Sequence, residues 1–226
     1  LRAAAATVDA DRHVHSLHAY FIRGGRIDEP IRYEVDRIRN GRSFMTRRVV
    51  ARQSEGAILN LSCSFQIRED QADVQESTLS TDLGGVGGGT NEDWGMLERR
   101  GVCQEVGRTA AWLRMVGPLG DDPVVQACAL AYASDDLPTT AAGSSHPRMA
   151  ELDGDRMTFG DIFVGASLDH AIWFHRPAPA DEWQLHDFRS HGLSGGRGMS
   201  IGEVFSADGV HVATVAQQTL FRERTR

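Results

Sequence analysis

The chain resembles itself at a fixed offset. Tyr20, Phe21, Arg23, Asp28, Glu29 and Gly56 are matched 153 positions later by Trp173, Phe174, Arg176, Asp181, Glu182 and Gly209, with no gap in the offset. Such self-similarity restricts the fold to one supersecondary unit used twice. Most positions between the matched pairs differ, so the two copies need not do the same work. The differences between them point to where a site lies.

The 226 residues suit one large domain or two of about 100 residues each. With 41% apolar residues the chain can build a packed core. A net charge of -7 argues against a general nucleic-acid binder. Lysine is absent and all 24 basic residues are arginines. Chemistry that needs a lysine amine, such as a pyridoxal Schiff base or a Walker phosphate loop, is thereby excluded. Cys63, Cys103 and Cys128 are odd in number and far apart, which fits a reducing compartment and no disulfide or zinc framework. No apolar run reaches the ~20 residues of a membrane span, and the first residues do not read as a secretion signal. A soluble, cytoplasmic protein is expected.

The hydrophobic pattern predicts four strands in the first half: 13–22, 31–38, 43–52 and 57–66, with Asn40-Gly41 and Ser54-Glu55-Gly56 as tight connections. Long strands with short links make an antiparallel, curled sheet. Residues 68–100, with their glycine run 84–89, read as a flexible linker. A phosphate loop there is disfavoured by the missing lysine. The second half, 101–226, opens on a strand at 110–116. A helix follows, with Asp122 as N-cap and Pro123 at its first position, ended by Pro138. Its side chains (Ala127, Cys128, Ala129, Ala131, Ala133) are small enough to lie close against a concave sheet. Four strands at 162–175, 182–190, 196–206 and 210–222 complete this half, the last two joined by Asp208-Gly209.

A curled sheet around one central helix, made twice, resembles the double hot-dog fold, an α+β class. The motifs DDPVVQACALAYASDD, SLDHAIWFHRP followed by DEW, and VAQQTLFR resemble the carboxyl half of the acyl-CoA thioesterase II family, the long-chain acyl-CoA hydrolases. HVHSLHAYFIRGG, PIRYEV, NGRSF and the SFQ ending are similar to that family's amino half. The resemblance covers most of the chain outside the linker and the loop near 140–160. It implies hydrolysis of fatty acyl-CoA to a free acid and CoA, with no cofactor and no covalent intermediate. The family's acid falls on Asp135, its hydroxyl on Ser167, where many members have threonine, and its amide on Gln217. One carboxylate acting as general base on water suits an already electrophilic thioester carbonyl, and a hydroxyl and an amide can orient that water. At the 153 offset Gln217 maps onto Ser64, so one site is expected per chain, in the second repeat. The resemblance also implies a strand and most of a helix ahead of Leu1. A partner subunit is expected to cover the first sheet, or the protein is longer, and a homo-oligomer (dimer or tetramer) is expected.

Taken alone, the same residues have plainer readings. Asp135 beside Asp136 is also a solvated helix end, Ser167 an ordinary strand residue, and Gln217-Gln218 a pair of which one faces solvent. Asp169 and His170, with His175 as a further partner, suggest a dyad, but neighbours in a strand point to opposite faces, so structural roles are expected. His15, His18 and His170 lack a second cluster of metal ligands. Ser194 and Cys128 lack a base to activate them. Arg42, Arg47, Arg48 and Arg197 are candidates for the CoA phosphates. Two other functions compete: a non-catalytic acyl-CoA-binding protein with the same fold, and a hot-dog hydratase. The hydratase needs an Asp/His pair on one helix, and no histidine lies between 122 and 137.

Overall fold

The turns and caps predicted above organise the computed structural model, which describes residues 1–87, 91–93, 95–152 and 159–225. The end of the glycine run and the loop around Gly154 lie outside the described residues. A short helix α1 (Arg2–Ala5) precedes the first-repeat strands β1 (Arg12–Phe21), β2 (Arg32–Asn40), β3 (Phe44–Gln53) and β4 (Gly56–Ile67). The second repeat has β5 (Asn91–Asp93), β6 (Leu97–Glu105), β7 (Arg108–Met115), α2 (Pro123–Ala133), α3 (Pro138–Gly143) and α4 (Phe159–Ile162). It continues with β8 (Phe163–Ser167), β9 (Asp169–Phe174), β10 (Gln184–Ser194), β11 (Arg197–Ser206) and β12 (His211–Glu223). The strands form one antiparallel sheet in the order β2-β3-β4-β1-β9-β12-β11-β10-β7-β6-β5, with β8 also paired to β12. Among the described residues no helix is long and apolar enough to cross a membrane.

The repeats join edge to edge through β1 and β9. His18 and Ala171 are Cα partners there, and they are also each other's counterpart at the 153-residue offset. A pseudo-twofold axis therefore passes between them. One core serves both repeats: Leu17, Leu61 and Phe65 are continuous with Leu130, Leu137, Phe188 and Val215.

Three expectations change. The helix from Asp122 does not run to Pro138. Asp122 caps α2 by accepting from Val124 N at 2.9 Å, but α2 stops at Ala133. Pro138 opens α3 instead of ending a helix, since proline fits the first turn, where its missing N–H is not needed. The small side chains work hardest in α3. Ala141 and Ala142 are fully buried, and a Cβ on Gly143 would meet the Phe221 ring at 2.1 Å.

The second change is in 162–175, which is not one strand. It is α4, β8 and β9, broken at Leu168. Thr219 faces Ser167 while Ala216 faces Ala171, so three steps on β12 span four on the opposing strand. The extra residue is a β-bulge. It is held by Leu168 N donating to Gln218 O at 2.9 Å and by Asp169 Oδ1 accepting from Gln218 N at 2.8 Å.

Third, the segment read as a flexible linker docks on the outer face of the second repeat. Arg176 Nε donates to Asp73 at 3.1 Å, Gln75 accepts from His211 N at 2.8 Å and donates to Gly209 O at 2.9 Å, and Ser77 donates to Glu203. Leu79, Leu83 and Val86 then pack on Trp112, Leu185 and Phe205. Residues 97–100 already belong to β6.

Candidate active site

The break between α2 and α3 and the bulge between β8 and β9 meet at one point. Asp135 lies in the break, in a turn closed by its own N–H donating to Tyr132 O at 3.3 Å. Ser167 ends β8, and Gln217 lies mid-β12 with its side chain fully buried. Asp135 Oδ1 accepts from Ser167 Oγ at 2.7 Å and from Gln217 Nε2 at 2.7 Å. Gln217 Nε2 also donates to Ser167 Oγ at 2.9 Å. The acid, hydroxyl and amide thus share one set of hydrogen bonds. Asp135 Oδ2 has no hydrogen bond among the described residues.

The site opens on a cavity of about 500 Å³ between the two repeats. Leu17, Ala19 and Leu61 of the first repeat form one wall, and Ala131, Asp135 and His170 of the second form another. The cavity wall is mostly apolar, with Cys128 and Tyr132 as further polar side chains beside Asp135 and His170. Asp136, also in its wall, pairs with Arg99 at 3.4 Å. Burial pushes the Asp136 carboxyl above the usual carboxylate range, against the opposing pull of Arg99.

Sequence reasoning missed the place of His170. It is 4% exposed, with Nε2 2.9 Å from Ser134 Oγ and Nδ1 hydrogen-bonded to Gln217 Oε1. In an unbroken strand Ser167 and His170, three apart, would point to opposite faces. The bulge turns both inward. The alternation held the signal: Phe163 and Ser167 set one inward phase, Ile172 and His170 the other, and the phase slips between them. Asp169, by contrast, only closes the bulge.

The other singled-out residues lie elsewhere. His175 Nε2 contacts Thr214 Oγ1 at 2.8 Å and its ring lies against His211. The rings of His15 and His18 meet Phe44 and Trp173 edge-on. Arg47 is removed from the candidates for CoA phosphate. It is 1% exposed, and its guanidinium is used up on Thr7, Asn40 and the Arg39 carbonyl. Arg48 pairs with Asp36 on the surface. Arg42 is exposed, and Arg197 donates to the Gly195 carbonyl at 3.4 Å. Cys128 lines the cavity, where burial raises its thiol pKa. Ser194 opens the β10–β11 turn.

The assignment of Ser64 as the counterpart of Gln217 is off by one residue. Leu17, the counterpart of His170, faces Cys63. One step on from the Ala171–Ala216 pair, Gln217 stands beside His170 as Cys63 stands beside Leu17. Ser64 instead faces Ser16.

A doubled curled sheet around small-residue helices, with an acid, a hydroxyl and an amide beside an apolar cavity, defines a double hot-dog protein of the thioesterase class. Residues 72–221 match the family described as acyl-CoA thioesterase C-terminal domain, and residues 1–66 match the acyl-CoA thioesterase N-terminal domain. The chain belongs to the acyl-CoA thioesterase II family, a family of acyl-CoA thioester hydrolases. It is 29% identical to acyl-CoA thioesterase 2 of Haemophilus influenzae over 98% of this chain and 84% of that protein. It is 30% identical to acyl-coenzyme A thioesterase 8 of Mus musculus over 98% and 77%. Among solved structures it is similar to the acyl-CoA thioesterase II TesB2 of Mycobacterium marinum, with a TM-score of 0.85, 35% identity, and coverage of 98% of this chain and 85% of that one.

Proposed function

We propose that this chain hydrolyses fatty acyl-CoA to a free fatty acid and CoA by direct attack of water, with Asp135 as general base. The observation that carries the reading is the pair of 2.7 Å hydrogen bonds from Ser167 and Gln217 onto Asp135 Oδ1 in the wall of an apolar cavity. Two donors fix one carboxylate oxygen and leave Oδ2 to take a proton from water. The hydroxide equivalent adds to the thioester carbonyl. Collapse of the tetrahedral intermediate breaks the C–S bond, and the proton goes to the CoA thiolate. Ser167 and Gln217 hold the carboxylate, and through it the water, in the attacking geometry. The acyl chain lies along the apolar wall built from both repeats.

A thiol-release assay over a panel of acyl-CoA chain lengths tests this. Asp135→Asn, which keeps the shape and removes the base, is expected to lower kcat by about 10²–10⁴-fold. An unchanged rate in that variant would refute Asp135 as the base. Tight binding of acyl-CoA by the wild-type protein with no thiol release would mark it as a binding protein instead.

We also propose that the chain assembles with further copies of itself. Tyr20, at 61% exposed, lies on the outer face at the repeat junction, together with the partly exposed Trp173. Light scattering that gives a monomer at all concentrations would overturn this. The three free cysteines support work in a reducing compartment such as the cytoplasm.

A further inference from the structure

The polar cluster has five members, and the hydrogens around the Gln217 amide can be assigned. Gln217 Nε2 carries two, given to Asp135 Oδ1 at 2.7 Å and Ser167 Oγ at 2.9 Å. The Gln217 atom facing His170 is therefore the carbonyl oxygen Oε1, which only accepts. His170 Nδ1 must then carry a hydrogen. At the other ring nitrogen, Nε2 lies 2.9 Å from the Ser134 hydroxyl, whose single hydrogen also has the Ala131 carbonyl oxygen within reach at 3.1 Å. The opposite orientation of the Gln217 amide would set its carbonyl oxygen against the Asp135 carboxylate, acceptor against acceptor.

We propose that His170 is a positioning residue for thioester hydrolysis. Its Nδ1–H holds the Gln217 carbonyl oxygen and so locks the amide in the one orientation that presents NH₂ to Asp135 and Ser167. The inference rests on the reading of Asp135 as the base, and it assigns His170 a task performed through Gln217. The first repeat supports it by contrast. There the matching residue is Leu17, which has no donor, and the neighbour in place of Gln217 is Cys63, which has no amide to orient. His170 arrives at this point only because of the bulge at Leu168. The role therefore belongs to the strand break as much as to the residue.

The test uses the purified full chain, one saturable acyl-CoA, and three variants. His170→Leu installs the first-repeat residue. His170→Asn keeps an N–H donor at the position of Nδ1, and His170→Asp is its isostere without that donor. His170→Leu is expected to lose about 10²-fold in kcat with KM changed by less than about threefold, because Gln217 is misoriented while the acyl wall is kept. His170→Asn is expected to recover most of that loss and His170→Asp none of it. Wild-type kcat in His170→Leu overturns the proposal, as do equal activities in the Asn and Asp variants. The second comparison decides the matter if the Leu variant does not fold. A readout independent of turnover is the Gln217 side-chain amide in ¹⁵N NMR. Two distinct, slowly exchanging protons are expected in the wild type and their loss in His170→Leu. Equal protection in both overturns the positioning role whatever the activity. Absence of thiol release from the wild type, with the amide still protected, overturns the base assignment and leaves the positioning intact.

Discussion

Both repeats carry the same bulge at the same place. In β1, Val14 faces Phe65 and Ser16 faces Ser64, leaving His15 as the extra residue. Leu168, its counterpart at the 153-residue offset, is the break between β8 and β9. Around it the first repeat puts Val14, Leu17 and Cys63, and the second puts Ser167, His170 and Gln217. The backbone device is common and the chemistry is not. A bulge is thus a feature of the shared fold that turns residues three apart onto one face. In the proposed reading, whether that face becomes a site depends on three side chains and on an acid supplied from outside the sheet. Asp135 comes from the α2–α3 break.

The sharpest way to test this asymmetry is to make the second repeat read like the first. Gln217→Cys should keep the fold and lower kcat by about 10²-fold, since the amide donors to Asp135 and Ser167 disappear. A variant with wild-type turnover would remove the amide from the mechanism.

A second contrast concerns His186, which pairs with Val204 in the middle of the sheet. Its counterpart Tyr33, at the same 153-residue offset, lies on the edge strand β2 and is 55% exposed. His186 is fully buried, and burial alone lowers its pKa from 6.5 to about 3. The unfolded chain therefore binds a proton that the folded chain refuses. The stabilisation is present above pH 6.5 and is lost as the pH falls toward 3. Urea titrations should show roughly 2 kcal/mol of this loss between pH 6.5 and 5, and His186→Leu should flatten that part of the profile. An unchanged slope in the variant would place the acid sensitivity elsewhere.

The smallest effect concerns thiol reactivity. Burial raises the Cys63 pKa to about 11, so at pH 8 the native thiol is almost wholly protonated. Alkylation followed by peptide mapping should modify Cys103, which is partly exposed, well before Cys63. The reverse order would contradict the apolar character given to the first-repeat counterpart of the site.

Much of the fold can be read from the sequence. The Asp208-Gly209 turn, the Asp122 cap, the strand alternation and the repeat offset are local signals, each with a local physical cause. The acid, hydroxyl and amide were named through family motifs, since each alone suits a plain structural role. Three things were not legible. Pro138 starts a helix as readily as it stops one, and only packing against β10, β11 and β12 decides between the two. The bulge is a phase slip of one residue, faint in the alternation around Leu168 and fixed only when Thr219 and Ala216 give the register. The docking of 73–86 depends on single polar residues meeting Arg176, His211 and Glu203 far away in sequence. No periodic pattern announces contacts of that kind.

The joint between β1 and β9 has a consequence for access to the cavity. The cavity lies between the repeats, and two loosely tethered halves would admit a guest by parting like a clamshell. Here the halves are stitched by main-chain bonds from Ser16–Trp173 to Tyr20–Asp169. Parting them means breaking a continuous ladder beside the pseudo-twofold axis. With that ladder intact, the parts of the cavity wall free to move are side chains, among them the half-exposed Tyr132.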